Sequence, residues 1–313
     1  MSIYGNYREL AIEKAPKQAA LINKFLEMVP FLANMPMAPT SDGLQHLFEI
    51  VKSVTTPKAV DLDAPLPIIN AETELGRTNV SQFGGIMTVG EDKVKTLNKT
   101  SEQYFDDRLR IIMPQTAQEL EKSLLVNSFL AYANANSNSQ TAGGTNTGNM
   151  YSMLCVNWIE GSIEGLYDPD GWGRGQVFDA AKISGGDLML IKDKDGNDIP
   201  GYSSRIKSQM GVQLADERFV SAINNIDIVI DASEATGRKA IPTEEQIDDM
   251  IDNARGYDGG RPVIYCDTRT LIALNTYKGS ALEMRVADDN FDRLIASWNG
   301  VALVATRNFG KTS

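Results

Sequence analysis

Residues 60–68 place the tightest limit on what this chain can fold into. Val60, Leu62, Ala64, Leu66 and Ile68 alternate with Asp61, Asp63, Pro65 and Pro67, the period of a strand with one apolar face. Each proline lacks the amide a ladder needs, so the run cannot be a central strand. An exposed edge or a projecting ribbon is what remains. TNVSQFGGIMTVG and DKVKTL read as the returning part of that ribbon, with Gly84 and Gly85 at a bend or bulge. A two-stranded ribbon over residues 57–98 is marginal by itself. It needs its own domain or another subunit to lie on.

Around the ribbon the chain mixes helix and strand. Residues 1–37 read as a helical arm: Ile3, Tyr7, Leu10 and Ala11, then Leu21, Ile22, Phe25, Leu26 and Val29, share one face, with Pro16 and Pro30 as interruptions. Ala117, Leu120, Leu124, Leu125, Phe129 and Tyr132 make an amphipathic helix over 116–136, with Pro114 before its start. NANSNSQTAGGTNTGN reads as a loop or linker. Residues 150–210 read as short strands and turns, DPDG and KDGN among the turns.

From residue 218 the pattern is α/β. Ile226, Ile228 and Ile230 alternate as a strand. Thr243 and Gln246 form a capping box for a helix striped by Ile247, Met250, Ile251 and Ala254, with Gly256 at its end. PVIYC is a buried strand, and Asp267 caps a helix that stops at Gly279. LIASW and VALVAT, joined by Asn299–Gly300, make a hairpin.

Chemistry is harder to find. Apolar residues are 42% and charged residues 23% of the 313, so a folded globular chain is expected. No export signal stands out, and FLEMVPFLANMPM is too short and proline-broken to span a bilayer. A soluble cytosolic chain without a membrane partner is the expectation. Cys155 and Cys266 read as buried thiols in a reducing compartment. A net charge of −11 argues against DNA as a directly gripped ligand.

The single His46 reads as a surface or core-edge residue, and one His without paired cysteines makes no zinc or iron site. Asp193, Asp195 and Asp198 echo a calcium loop, but glycine falls at the wrong place. GWGRG, YDGGRP and the terminal GKTS read as turns rather than phosphate or dinucleotide loops. Glu244, Glu245, Asp248, Asp249 and Asp252 read as a solvated helix face. No catalytic residue, cofactor or metal site is expected.

The order of segments resembles the major capsid proteins of tailed bacteriophages, podovirus type, with the Hong Kong ninety-seven capsid fold. AALINKFLEMVPFLANMPM is similar to that family's opening, and PLPIINAETELGRTNVSQFGGIMTVGEDK to its extended ribbon. WIEGSIEGLYDPDGWGRGQVF and GDLMLIKDKDGNDIPGY are similar to its mid-chain insertion, and SWNGVALVATRNF to its closing strands. The resemblance implies an α+β fold. Residues 1–45 would be an N-terminal arm, 57–98 an extended β-hairpin loop, and 99–140 with 296–313 a peripheral domain with a spine helix. Residues 141–210 would be a turn-rich insertion and 211–295 an axial domain.

It also implies a function, self-assembly into the icosahedral shell, as pentamers and hexamers, around a double-stranded DNA genome. Lys58, Asp61, Asp63, Pro65, Pro67, Glu72, Glu74, Arg77 and Phe83 are the inter-subunit contact candidates. A scaffolding protein, a portal protein and a decoration protein are implied partners, with packaged DNA a non-specific neighbour. The implied location is the virion, and the host cytoplasm during assembly. Lys–Asn cross-linking is not implied, because no catalytic acid can be assigned to Lys58, Lys93 or Lys95. A phage tail or surface-binding protein is the alternative, followed by a metal-dependent hydrolase using the acidic helix at 244–252.

Overall fold

The computed structural model describes residues 5–63, 65–144, 150–170, 176–228, 240–256, 258–275, 282–286 and 294–309. The helices are α1 (Tyr7–Lys14), α2 (Ala19–Leu26), α3 (Pro30–Asn34), α4 (Glu91–Thr96), α5 (Ser101–Lys122), α6 (Ala131–Ala135), α7 (Glu244–Asn253) and α8 (Thr268–Asn275). The early strands are β1 (Met37–Pro39), β2 (Gln45–Val54), β3 (Ala71–Asn79), β4 (Ser81–Gly90) and β5 (Ser139–Thr141). The middle strands are β6 (Met150–Trp158), β7 (Ile163–Tyr167), β8 (Phe178–Lys182), β9 (Met189–Lys192) and β10 (Asp198–Leu214). The late strands are β11 (Val220–Asp227), β12 (Arg261–Cys266), β13 (Leu282–Val286), β14 (Leu294–Trp298) and β15 (Val301–Ala305).

The N-terminal helices are core rather than a free arm, which corrects the expectation for residues 1–45. Asn6 caps α1 in a reciprocal box with Glu9. Pro30 sits at the first position of α3, where its missing amide is harmless. Tyr7, Ile22, Phe25, Phe31 and Leu32 are fully buried. The Phe31 ring meets Tyr265, Phe129 and Trp158 at centroid distances of 4.8, 5.1 and 5.5 Å. Exposing each such side chain would cost about 1.5–3 kcal/mol, so the apolar face stays on its own chain.

The long helix also begins earlier than its periodicity suggests. Thr100 and Gln103 form a capping box, α5 runs through Pro114, and a π-helical stretch, Ser123–Leu130, joins it to α6. An internal proline costs a helix about 3 kcal/mol. The buried stripe of Tyr104, Phe105, Leu109, Met113, Ala117 and Leu120 outweighs that. Pro114 therefore lies inside the helix.

Two large sheets follow. The seven-stranded sheet has the order β13-β14-β15-β12-β6-β11-β5, and in the six-stranded sheet β10 pairs with β4, β7, β8 and β9. Residues 141–210 carry more than turns, since β6 and β10 are interior strands of the two sheets. β14 and β15 join the seven-stranded sheet beside β12. Just beyond β15, Thr306 and Asn308 bond the Glu121 side chain of α5.

Local chemistry read from sequence reappears where turns and caps govern it. The Thr243 capping box opens α7, and the Asp267 side chain accepts from the Arg269 amide. Asn299 and Gly300 turn the last hairpin with φ of 47° and 85°. Asp193 ties the β9–β10 turn by accepting from the amides of Asp195 and Asn197, both at 2.8 Å. After α7 the left-handed residue is Arg255 (φ 49°) rather than Gly256. Part of the expected 134–149 loop is ordered as the end of α6 and as β5, which runs parallel to β11. GWGRG, the terminal GKTS, Ile230 and Gly279 lie outside the described residues. Cys155 and Cys266 are fully buried.

Glu121 is a fully buried carboxylate at the meeting point of three segments. One oxygen accepts from the Phe31 and Leu32 amides at 3.2 and 3.4 Å. The other accepts from the Thr306 hydroxyl at 2.5 Å and the Asn308 side-chain amide at 3.1 Å. α3, α5 and the C-terminal segment therefore meet on a single side chain. Burial raises its pKa to about 7, against the pull of those four hydrogen bonds.

Candidate assembly surface

The projecting ribbon is built from β2 and β3, so its expected bounds of 57–98 are corrected. The ladder runs from Gln45↔Asn79 to Val54↔Ala71, with a register shift between Val51 and Ser53. QHLFEIVKSV, rich in apolar and β-branched residues, forms β2, a strand outside the expected bounds of the ribbon. The proline run has no strand structure and forms the tip between the two strands. β4 leaves the ribbon after Val80 and pairs with β10 from Ser81↔Met210 to Gly90↔Gly201. DKVKTL is helical through Thr96, within α4, and Leu97 caps that helix.

The base of the ribbon is fastened to the body. The Thr78 hydroxyl donates to the Val212 carbonyl at 3.1 Å. His46 Nδ1 accepts from the Ser41 amide at 3.0 Å. Partial burial holds the imidazole below its ordinary pKa, opposed by a hydrogen bond with Gln213. His46 is thus a structural residue of the ribbon base.

Beyond the base the ribbon stands free of its own subunit. Leu62, Leu66 and Ile68 are 106%, 82% and 89% exposed, and Ile69 and Leu75 are exposed as well. So large an apolar group in water marks an interaction site. Lys58, Asp61, Asp63, Pro65 and Pro67 lie exposed at the tip, and Glu72, Glu74 and Arg77 lie exposed on β3. Phe83 does not belong with them. It sits in β4 opposite Ser208, half-buried and packed against the main core.

Gly76 shapes the ribbon. A Cβ there would come within 2.7 Å of the Phe48 ring and 2.9 Å of Ile50 Cδ1, so Phe48 and Ile50 fold across β3 at this point. The Phe48 ring also stacks on His46 at 6.1 Å. Gly76→Ala is expected to displace that ring and weaken the ribbon by about 1 kcal/mol, a roughly fivefold change in opening. Faster amide exchange confined to β2 and β3 is the readout.

On the acidic helix one carboxylate has a structural role. Asp248 accepts from Trp298 Nε1 at 2.8 Å and Asn299 Nδ2 at 2.9 Å, pinning the last hairpin to α7. Among the described residues no group of three His, Cys, Asp or Glu side chains could hold a metal ion. No helix among them is long and apolar enough to cross a membrane.

Comparison with known proteins adds three findings. The family model described as Major capsid protein GP7 matches residues 126–309. A chain from the structure of bacteriophage Epsilon15 is similar with a TM-score of 0.55 at 17% identity, over 86% of this chain and 84% of that one. The capsid of bacteriophage JBD30 gives a TM-score of 0.42 at 12% identity, over 88% of each chain. No curated protein matches the sequence.

Proposed function

The chain belongs to the Major capsid protein GP7 family, and from that premise we propose that its ribbon joins copies of it into a closed icosahedral shell around double-stranded DNA. It is a major capsid protein with the Hong Kong ninety-seven-type fold, and so a component of the phage virion. One observation carries the shell reading: the ribbon has two unpaired edges and an apolar tip with Leu62, Leu66 and Ile68 in water. Such a ribbon is marginal alone and gains stability from a surface to lie on.

In this reading Lys58, Asp61, Asp63, Pro65, Pro67, Glu72, Glu74 and Arg77 contact a sister subunit. Phe83 keeps its place in the body. Head-to-tail contacts around five-fold and six-fold rings close by rotation, and many modest contacts add up in a closed shell. The N-terminal helices act as part of each subunit's core instead of bracing a neighbour. Assembly in the host cytoplasm on a separate scaffolding protein, docking of a portal protein and coverage by a decoration protein complete the proposal. A net charge of −11 suits a wall that encloses DNA without gripping it.

The chain produced together with its scaffolding protein is expected to give closed particles of megadalton mass by sedimentation and negative-stain imaging. Small rings or trimers alone would instead support the tail-protein reading.

A further inference from the structure

The two faces of the ribbon are not equivalent. Strand register puts Leu47 opposite Arg77 and Glu49 opposite Leu75 on one face, and Phe48 opposite Gly76 and Ile50 opposite Glu74 on the other. The second face is satisfied within its own chain. Phe48 and Ile50 close over Gly76, His46 stacks on Phe48, and Lys52 pairs with Glu74 at 3.2 Å. At its base this face reaches the body, through Thr78 to Val212.

The first face has none of this. Leu47 and Leu75 are 47% and 69% exposed. Neither Glu49 nor Arg77 has an ion pair or side-chain hydrogen bond among the described residues. An apolar pair flanked by one free acid and one free base is the composition of a protein contact with a polar rim.

We propose that the face carrying Leu47, Glu49, Leu75 and Arg77 is the one that seats on a second copy of this chain, while the Phe48–Ile50–Gly76 face remains an internal staple. The inference rests on the shell reading above and specifies which side of the ribbon makes the contact. The mixed charge disfavours a nucleic-acid occupant, which would call for cations along the phosphate backbone. The length of the ribbon favours a sister copy: ten-residue β2 extends about 33 Å. In a shell of one repeated chain, the surface within that reach is the next subunit.

Single cysteines at Leu75 and Lys52 test this, because the native Cys155 and Cys266 are fully buried. A soluble maleimide is expected to label Leu75→Cys and Lys52→Cys alike in unassembled subunits. In shells the Leu75→Cys rate should fall by roughly tenfold or more while Lys52→Cys stays open, a protection factor set by how rarely the contact opens. If Leu75→Cys blocks assembly, hydroxyl-radical footprinting of wild-type shells at Leu47, Leu75 and Phe48 makes the same comparison. Shells in which Leu75 stays open, or in which Lys52 is protected in its place, overturn the face assignment and leave the shell reading standing. A wild-type chain that forms no shells even when its scaffolding protein is supplied overturns the shell reading itself.

Discussion

A chain lacking residues 55–70, with Val54 joined to Ala71 through an Asn-Gly turn, is expected to fold normally and to form no closed shells. Val54 and Ala71 are already the last paired residues of the ladder, and a two-residue turn of that kind suits the twist of such a hairpin. The deletion removes Leu62, Leu66, Ile68 and Ile69, all exposed in the subunit. At about 2 kcal/mol for each side chain buried in a contact, the loss reaches roughly 6–8 kcal/mol per interface. Even a third of that raises the concentration needed for assembly by more than about tenfold. Sedimentation measures the particles, and circular dichroism establishes that the subunit is folded. Normal shells from this variant would remove the ribbon from assembly. A larger deletion reaching residue 90 could not decide the matter, because it strips β4 from β10 and opens the body.

Glu121→Leu is expected to destabilise the unassembled subunit by at least about 3 kcal/mol, since four donors lose their acceptor in a sealed site. Glu121→Gln separates charge from hydrogen bonding. Its carbonyl can still accept from Phe31 and Leu32, and its amide can donate to Thr306 and to a rotated Asn308. The pH dependence has a defined sign. The carboxyl titrates near 4.5 when unfolded and at about 7 when folded. Between those values the folded chain holds a proton that the unfolded chain has lost, so stability falls as pH rises from about 4.5 to about 7 and then levels. The span is worth about 3 kcal/mol. Urea unfolding at pH 5, 6, 7 and 8 should show that slope in the wild type and lose it in Glu121→Gln. An identical slope in both chains would assign it to other groups.

How much of this was legible beforehand depends on the range of the interaction concerned. Thr243 with Gln246, Asp267, the KDGN turn and Asn299–Gly300 each act within four residues, and all are found where local chemistry puts them. The exposure of the proline run was readable because Pro65 and Pro67 lack the amides that a central strand needs. β2 begins twelve residues before the expected ribbon, because the alternation at the proline run marks the tip, and QHLFEIVKSV shows its strand character only through its pairing with β3. Phe83 was misplaced because alternation does not say which partner a strand takes.

From the sequence alone came the resemblance to a capsid protein, the caps and turns, and the conclusion that Pro65 and Pro67 lie outside any central strand. The tertiary structure decided that β4 belongs to β10, that the N-terminal helices pack inside the body and that Glu121 joins three distant segments. Caps and turns are settled by hydrogen bonds between near neighbours in the chain. Strand partners and buried faces are settled by which apolar surfaces exclude water together, and Phe31 meeting Tyr265 across 234 positions is written in no single stretch of residues.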